Sequence, residues 1–189
     1  MTPPGRRLGD MLVSEGLLSP DRLKRVLETQ GLLGGRFGTS LLELGFLGDE
    51  LLLDALGRQR KSKTASAADL ARVPSSVTKL ITEKFAKRYR IVPFRLDSKT
   101  LSIASLDPGD ILVQDEVSFL TGCRVVTHVA LELRLFEALE RYYGFPLPRR
   151  LAALSLRLSK SAGGEPAPVE PTTAPRSGAI PAAQRSSAP

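Results

Sequence analysis

RLGDMLVSEGLLSPDRLKRVLETQ (residues 7–30) and RFGTSLLELGFLGDELLLDALGRQ (residues 36–59) are one pattern written twice. The two units lie 29 residues apart (36 − 7) and align without a gap. Eight of their 24 positions coincide: Arg7/Arg36, Gly9/Gly38, Leu12/Leu41, Gly16/Gly45, Leu18/Leu47, Leu23/Leu52, Leu27/Leu56 and Gln30/Gln59. Such a duplication dictates architecture, because a repeated unit buries its apolar face against its neighbour.

Each unit reads as a helical hairpin. Leu8, Met11, Leu12 and Glu15 suit a short helix stopped by Gly16, a residue that tolerates the left-handed cap. Ser19 caps the next helix, with Pro20 at its first position and Asp21 in its first turn. Leu23, Leu27 and Gln30 follow at steps of four and three, on one face. In the second unit Gly45 is the stop and Gly48-Asp49-Glu50 the start.

Working outward, KSKTASAADLARVP is polar and small, and residues 61–70 read as a linker. Residues 71–148 read as a mixed subdomain of order αββαβα. Ser75 opens a helix through Lys87, and strands follow at 90–95 and 101–105 around a turn at Asp97-Ser98-Lys99. Asp107-Pro108-Gly109-Asp110 is a turn and helix start, and this helix runs to about Leu120, ended by Gly122. The β-branched run Arg124 to Val129 is a strand, and a last helix, Leu131 to Tyr143, ends at Gly144. The predicted fold class is therefore α+β. A helical subdomain of two tandem hairpins (1–60) precedes the αββαβα subdomain, and a tail (149–189) follows. Leu151 to Leu158 could extend as a short helix. From about Ser159 the chain is Ala, Pro, Ser, Gly and Thr, too poor in large apolar residues to offset ordering entropy, and is expected to be disordered.

Composition narrows the function. Trp is absent and aromatics are 5% of residues, so the core is aliphatic. The net charge of +7 favours anionic partners without choosing among them. One Cys (Cys123) allows neither an internal disulfide nor a Cys-based zinc site, and one His (His128) leaves no His cluster. Cys123 is expected to be a buried small hydrophobe. No signal peptide and no membrane span is visible, so a cytoplasmic protein is expected. No acid/base, nucleophile or metal constellation is present, which disfavours an enzyme.

The repeated polar residues carry the signal. An Arg guanidinium can stack on a purine and donate paired hydrogen bonds to guanine acceptors or phosphate. Gly9 and Gly38 keep the backbone bare for a flat ligand. Leu23 and Leu27 offer an apolar floor, and Gln30 could read a base edge or ribose. Singly, each Leu and Gly is more often core or cap. Arg7, Arg36, Gln30 and Gln59 resist that explanation, since filling a core requires no polar residues in fixed register.

This tandem form, R-L-G-x-x-L-x-x-x-G-x-x-x-x-x-x-L-x-x-x-L-x-x-Q with the spacer Gly31 to Gly35, resembles the MshE N-terminal (MshEN) family. Residues 70–145, with their Asp-Pro-x-Asp turn, resemble the second half of the N-terminal region of type II secretion and type IV pilus ATPases. The resemblance implies one elongated site for cyclic di-GMP, with no other cofactor. It implies ligand contacts from Arg7, Leu8, Gly9, Leu23, Leu27 and Gln30, and from Arg36, Phe37, Gly38, Leu52, Leu56 and Gln59. Phe37 departs from the usual Leu. Some members carry a basic residue two places before the first motif Arg; here that place is Gly5, with Arg6 adjacent. An acidic turn residue at a guanine edge is also implied, with Asp107 or Asp110 as the candidate.

The ATPase phosphate loop, G-x-x-x-x-G-K-[ST], does not occur in the chain. The expected function is a stand-alone cyclic di-GMP receptor that relays the signal to a protein partner, such as a motor ATPase or a regulator. The alternative is an interaction adaptor that kept the fold and lost the nucleotide. A nucleic-acid-binding domain is supported by net charge alone and is disfavoured.

Overall fold

Gly16 and Gly45 hold equivalent places in the two repeats, with φ of +72° and +66°. A residue with a Cβ would lose roughly 1–2 kcal/mol in this left-handed region. Each glycine turns the chain from a short helix into a longer one. The computed structural model describes residues 7–161. In it the repeats form α1 (Leu8–Ser14) and α2 (Pro20–Leu33), then α3 (Phe37–Glu43) and α4 (Asp49–Arg60). Ser19 Oγ accepts the Arg22 amide at 3.3 Å and Pro20 opens α2, as the cap pattern requires.

The hairpins interlock. Helix α1 packs against α4 as well as α2, and α2 packs against α3. The short helix of each unit thus meets the long helix of the other. Leu12 and Leu41, equivalent by the repeat, are both fully buried, and Leu18 and Leu47 close the same core.

The second part is a four-stranded sheet in the order β1-β4-β3-β2, built from β1 (Lys63–Thr64), β2 (Ile91–Asp97), β3 (Thr100–Ser105) and β4 (Arg124–Val129). β2 and β3 form an antiparallel hairpin around Ser98, with an irregularity between Pro93 and Arg95. Pro is tolerated there because β2 is an edge strand. β3 runs parallel to β4 through α8 (Ile111–Thr121), and β1 adds in parallel to the other side of β4. The strongly amphipathic α9 (Glu132–Tyr143) buries Leu133, Leu135, Phe136 and Leu139 and packs on β2, α3 and α10 (Arg149–Ser161).

The α+β class and the ββαβα order from residue 91 to 143 stand as expected, and three segments differ. Residues 61–70, expected as a linker, hold β1 and the start of α5 (Ala67–Ala71). Two strand residues are too few for alternation to register, although Ser66-Ala-Ala-Asp69 forms a reciprocal capping box that marks a helix start. The single helix expected from Ser75 to Lys87 is two, α6 (Ser75–Thr78) and α7 (Glu83–Tyr89), because Thr82 caps a new start by accepting the Phe85 amide. Residues 149–161, assigned to the tail, are the full helix α10, with Leu151 and Leu154 buried. The disorder expected from Ser159 falls almost wholly outside the described residues, as does Gly5. Cys123 is half-buried rather than buried.

Candidate functional site

A cavity of about 560 Å³ opens between the interlocked hairpins and the sheet. All twelve repeat residues singled out above line it: Arg7, Leu8, Gly9, Leu23, Leu27 and Gln30 from the first unit, and Arg36, Phe37, Gly38, Leu52, Leu56 and Gln59 from the second. The far wall is Leu106, just past β3, with Val129, Ala130 and Leu131 at the end of β4. The cavity therefore sits at the carboxyl ends of two parallel strands, the usual place for a crevice in such sheets.

The two halves are alike in sequence and unlike in packing. Leu52 is fully buried beneath Gly38 where its equivalent Leu23 is half-buried, and Leu27 is 52% exposed where its equivalent Leu56 is half-buried. Exposed apolar surface in a concave site is surface that a ligand can cover. The glycines serve packing as much as access. A Cβ on Gly9 would stand 2.6 Å from Leu23 Cδ1 and 3.2 Å from Phe37 Cζ, and one on Gly38 would stand 3.4 Å from Leu52 Cδ2. They let α1 and α3 approach the following helices. Phe37 reaches across from the second motif to Gly9 of the first, a contact that a shorter Leu would not extend as far to make.

Three guanidiniums line the cavity. Arg7 makes no ion pair among the described residues. Arg36 lies 3.6 Å from Asp107, and Arg60 donates to the other oxygen of the same carboxylate at 3.0 Å. Asp107 thus links two cavity arginines without itself lining the cavity. Asp110 does neither; its carboxylate accepts the Val113 amide and caps α8.

Gln30 Nε2 donates to the Gly35 carbonyl at 3.0 Å and so folds the spacer back onto α2. Gly34 and Gly35, with φ of +69° and +80°, need glycine there. The spacer is held from outside by α10. The Arg150 guanidinium donates to the Leu33 carbonyl at 3.0 Å, the Gly34 carbonyl at 2.6 Å and both Glu43 oxygens, at 2.5 and 2.6 Å. Its pKa is raised, first by the hydrogen bond to Glu43.

Arg60, Thr39, Glu132 and Arg150 were not legible as site residues. Arg60 could have been noticed, since it follows the motif Gln59 directly. The others sit on elements whose placement only the fold supplies.

The lining of this α+β fold thus combines an apolar floor with three arginines and the carboxylates of Asp10 and Glu132, and no metal-ligating cluster occurs among the described residues. The MshEN domain family profile matches residues 66–149. The solved structure of MshE with cdg aligns at 33% identity and a TM-score of 0.54, covering 73% of this chain and 99% of that one. The chain belongs to the MshEN domain family. It is 35% identical over 137 residues to the type IV pilus assembly ATPase PilB of Myxococcus xanthus, covering 72% of this chain and 24% of that protein. The PilB of Thermus thermophilus is 29% identical over 153 residues, covering 78% and 17%. The chain spans at most about a quarter of the length of these curated relatives. Among the described residues, no helix is long and apolar enough to cross a membrane.

Proposed function

We propose that the chain is a receptor for cyclic di-GMP that acts by binding, in the cytoplasm, and passes the bound state to a protein partner such as a motor ATPase or a regulator. One observation carries this reading: both copies of the repeat deliver their six ligand-type residues to a single cavity. A ligand with two equivalent halves fits two equivalent half-sites. The likeness to MshE with cdg supports the same ligand. Arg7 and Arg36 supply charge for phosphate or a stacking plane for guanine, and Leu27 and Phe37 supply apolar cover. The relay has a physical route, since Arg150 ties α10 to the spacer between the motifs. Ordering the spacer around a ligand then favours one placement of α10.

One observation favours the adaptor reading: Phe37, in place of the usual Leu, reaches from the second motif to within 3.2 Å of where a Cβ on Gly9 would stand, inside the cavity lining. Calorimetric titration separates the two. A receptor gives saturable heat with cyclic di-GMP and none with GMP or ATP at equal concentration. An adaptor gives none with any of them.

A further inference from the structure

Glu132 is the first residue of α9 and lines the cavity beside the second-motif half-site. It is half-buried, and the Arg150 guanidinium lies within Coulombic range of it. Thr39, 4% exposed, donates its hydroxyl to Glu132 Oε2 at 2.5 Å. That bond fixes the carboxylate and leaves Oε1 with no hydrogen bond among the described residues. The other charged groups on the lining are Arg7, Arg36 and Arg60, with Asp10 in the first unit.

A carboxylate is an acceptor only. In a site built for a phosphodiester it repels the phosphates, so it can face only a donor-bearing part of the ligand. Guanine offers adjacent N1–H and N2–H donors, which two carboxylate oxygens can meet together. Adenine puts an acceptor at N1, directly opposed to a carboxylate. We infer that Glu132, oriented by Thr39, is the specificity residue of the second half-site, accepting from the Watson–Crick edge of one guanine and rejecting adenine. This rests on the cyclic di-GMP reading and extends it to a residue outside the tandem motif.

The test compares cyclic di-GMP with cyclic di-AMP by calorimetry on the parent, Glu132→Gln and Thr39→Val, each checked by thermal melt. The parent should prefer cyclic di-GMP. Glu132→Gln keeps the size and an acceptor for Thr39, but puts an amide donor against guanine donors. It should weaken cyclic di-GMP about tenfold to hundredfold while leaving cyclic di-AMP equal or stronger. Thr39→Val should produce the same change in ratio, smaller. If Glu132→Gln does not fold, Glu132→Asp, which keeps the charge and shortens the reach, must lower the same ratio. Parent binding with an unchanged ratio in the variants overturns the role of Glu132 and leaves the receptor reading standing. No parent binding overturns both.

Discussion

Replacing Arg150 with Met removes the guanidinium that joins α10 to the spacer and keeps most of the aliphatic stem. The side chains of Arg150 and Glu43 are 27% and 15% exposed, between the surface and buried limits. Exposed pairs contribute about 0.2–1 kcal/mol, and removing one partner of a buried pair costs about 3–5 kcal/mol. Two charged bonds to the Leu33 and Gly34 carbonyls are lost as well. A total loss of about 3 kcal/mol follows. For a domain of this size that lowers the melting temperature by roughly 6–12 °C. The double-mutant cycle with Glu43→Gln isolates the pair, with an expected coupling of about 1–2 kcal/mol. Freed of the clamp, Gly34 and Gly35 must be ordered at binding, at about 1 kcal/mol each, so cyclic di-GMP affinity should fall roughly thirtyfold. Denaturation melts and calorimetry read the two effects. A melting point within about 1 °C of the parent, with coupling below about 0.5 kcal/mol, would refute the clamp.

Arg7→Ala and Arg36→Ala should each weaken cyclic di-GMP about tenfold to hundredfold with the fold intact; equal affinity in both variants, by calorimetry, removes them from the site. Phe37→Leu shortens the reach to Gly9. A changed affinity with a small drop in melting point is expected, and a shift in melting point alone would show that the ring meets only protein. His128 is 3% exposed, lies against Phe94, and has a pKa lowered to about 4, first by burial and then by Arg95 and Lys63, with Asp69 opposing. The folded chain keeps His128 neutral while the unfolded chain protonates near 6.5, so stability is full above that pH and is lost as pH falls toward 4. The loss reaches about 3 kcal/mol, and unfolding curves between pH 7 and pH 4 should lose this component in His128→Phe.

The tandem repeat made the helical half legible because its stops, caps and apolar steps are all local. The twelve lining residues follow from the resemblance of the tandem motif to the MshEN family, which carries its contacts over position by position. What escaped was non-local. β1 is two residues whose only reason to be a strand is the free edge of β4. α10 reads in sequence only as a possible short helix over Leu151 to Leu158; it runs from Arg149 to Ser161, packed on α9 with Leu151 and Leu154 buried, and nothing near it in sequence announces that partner. Glu132 and Thr39 lie 93 residues apart and meet only through the docking of α3 on α9. Asp107 and Asp110 were inseparable as letters in one turn, and the structure distinguishes them by partner: two cavity arginines for the first, a helix amide for the second.

The stoichiometry of cyclic di-GMP binding bears on the central claim more directly than any variant does. Both motifs open onto one cavity, so calorimetry on the parent chain should give one ligand bound per chain in a single transition. Two independent sites per chain would mean that each motif binds alone, and absence of binding heat across temperatures would mean that the repeat is retained for packing only.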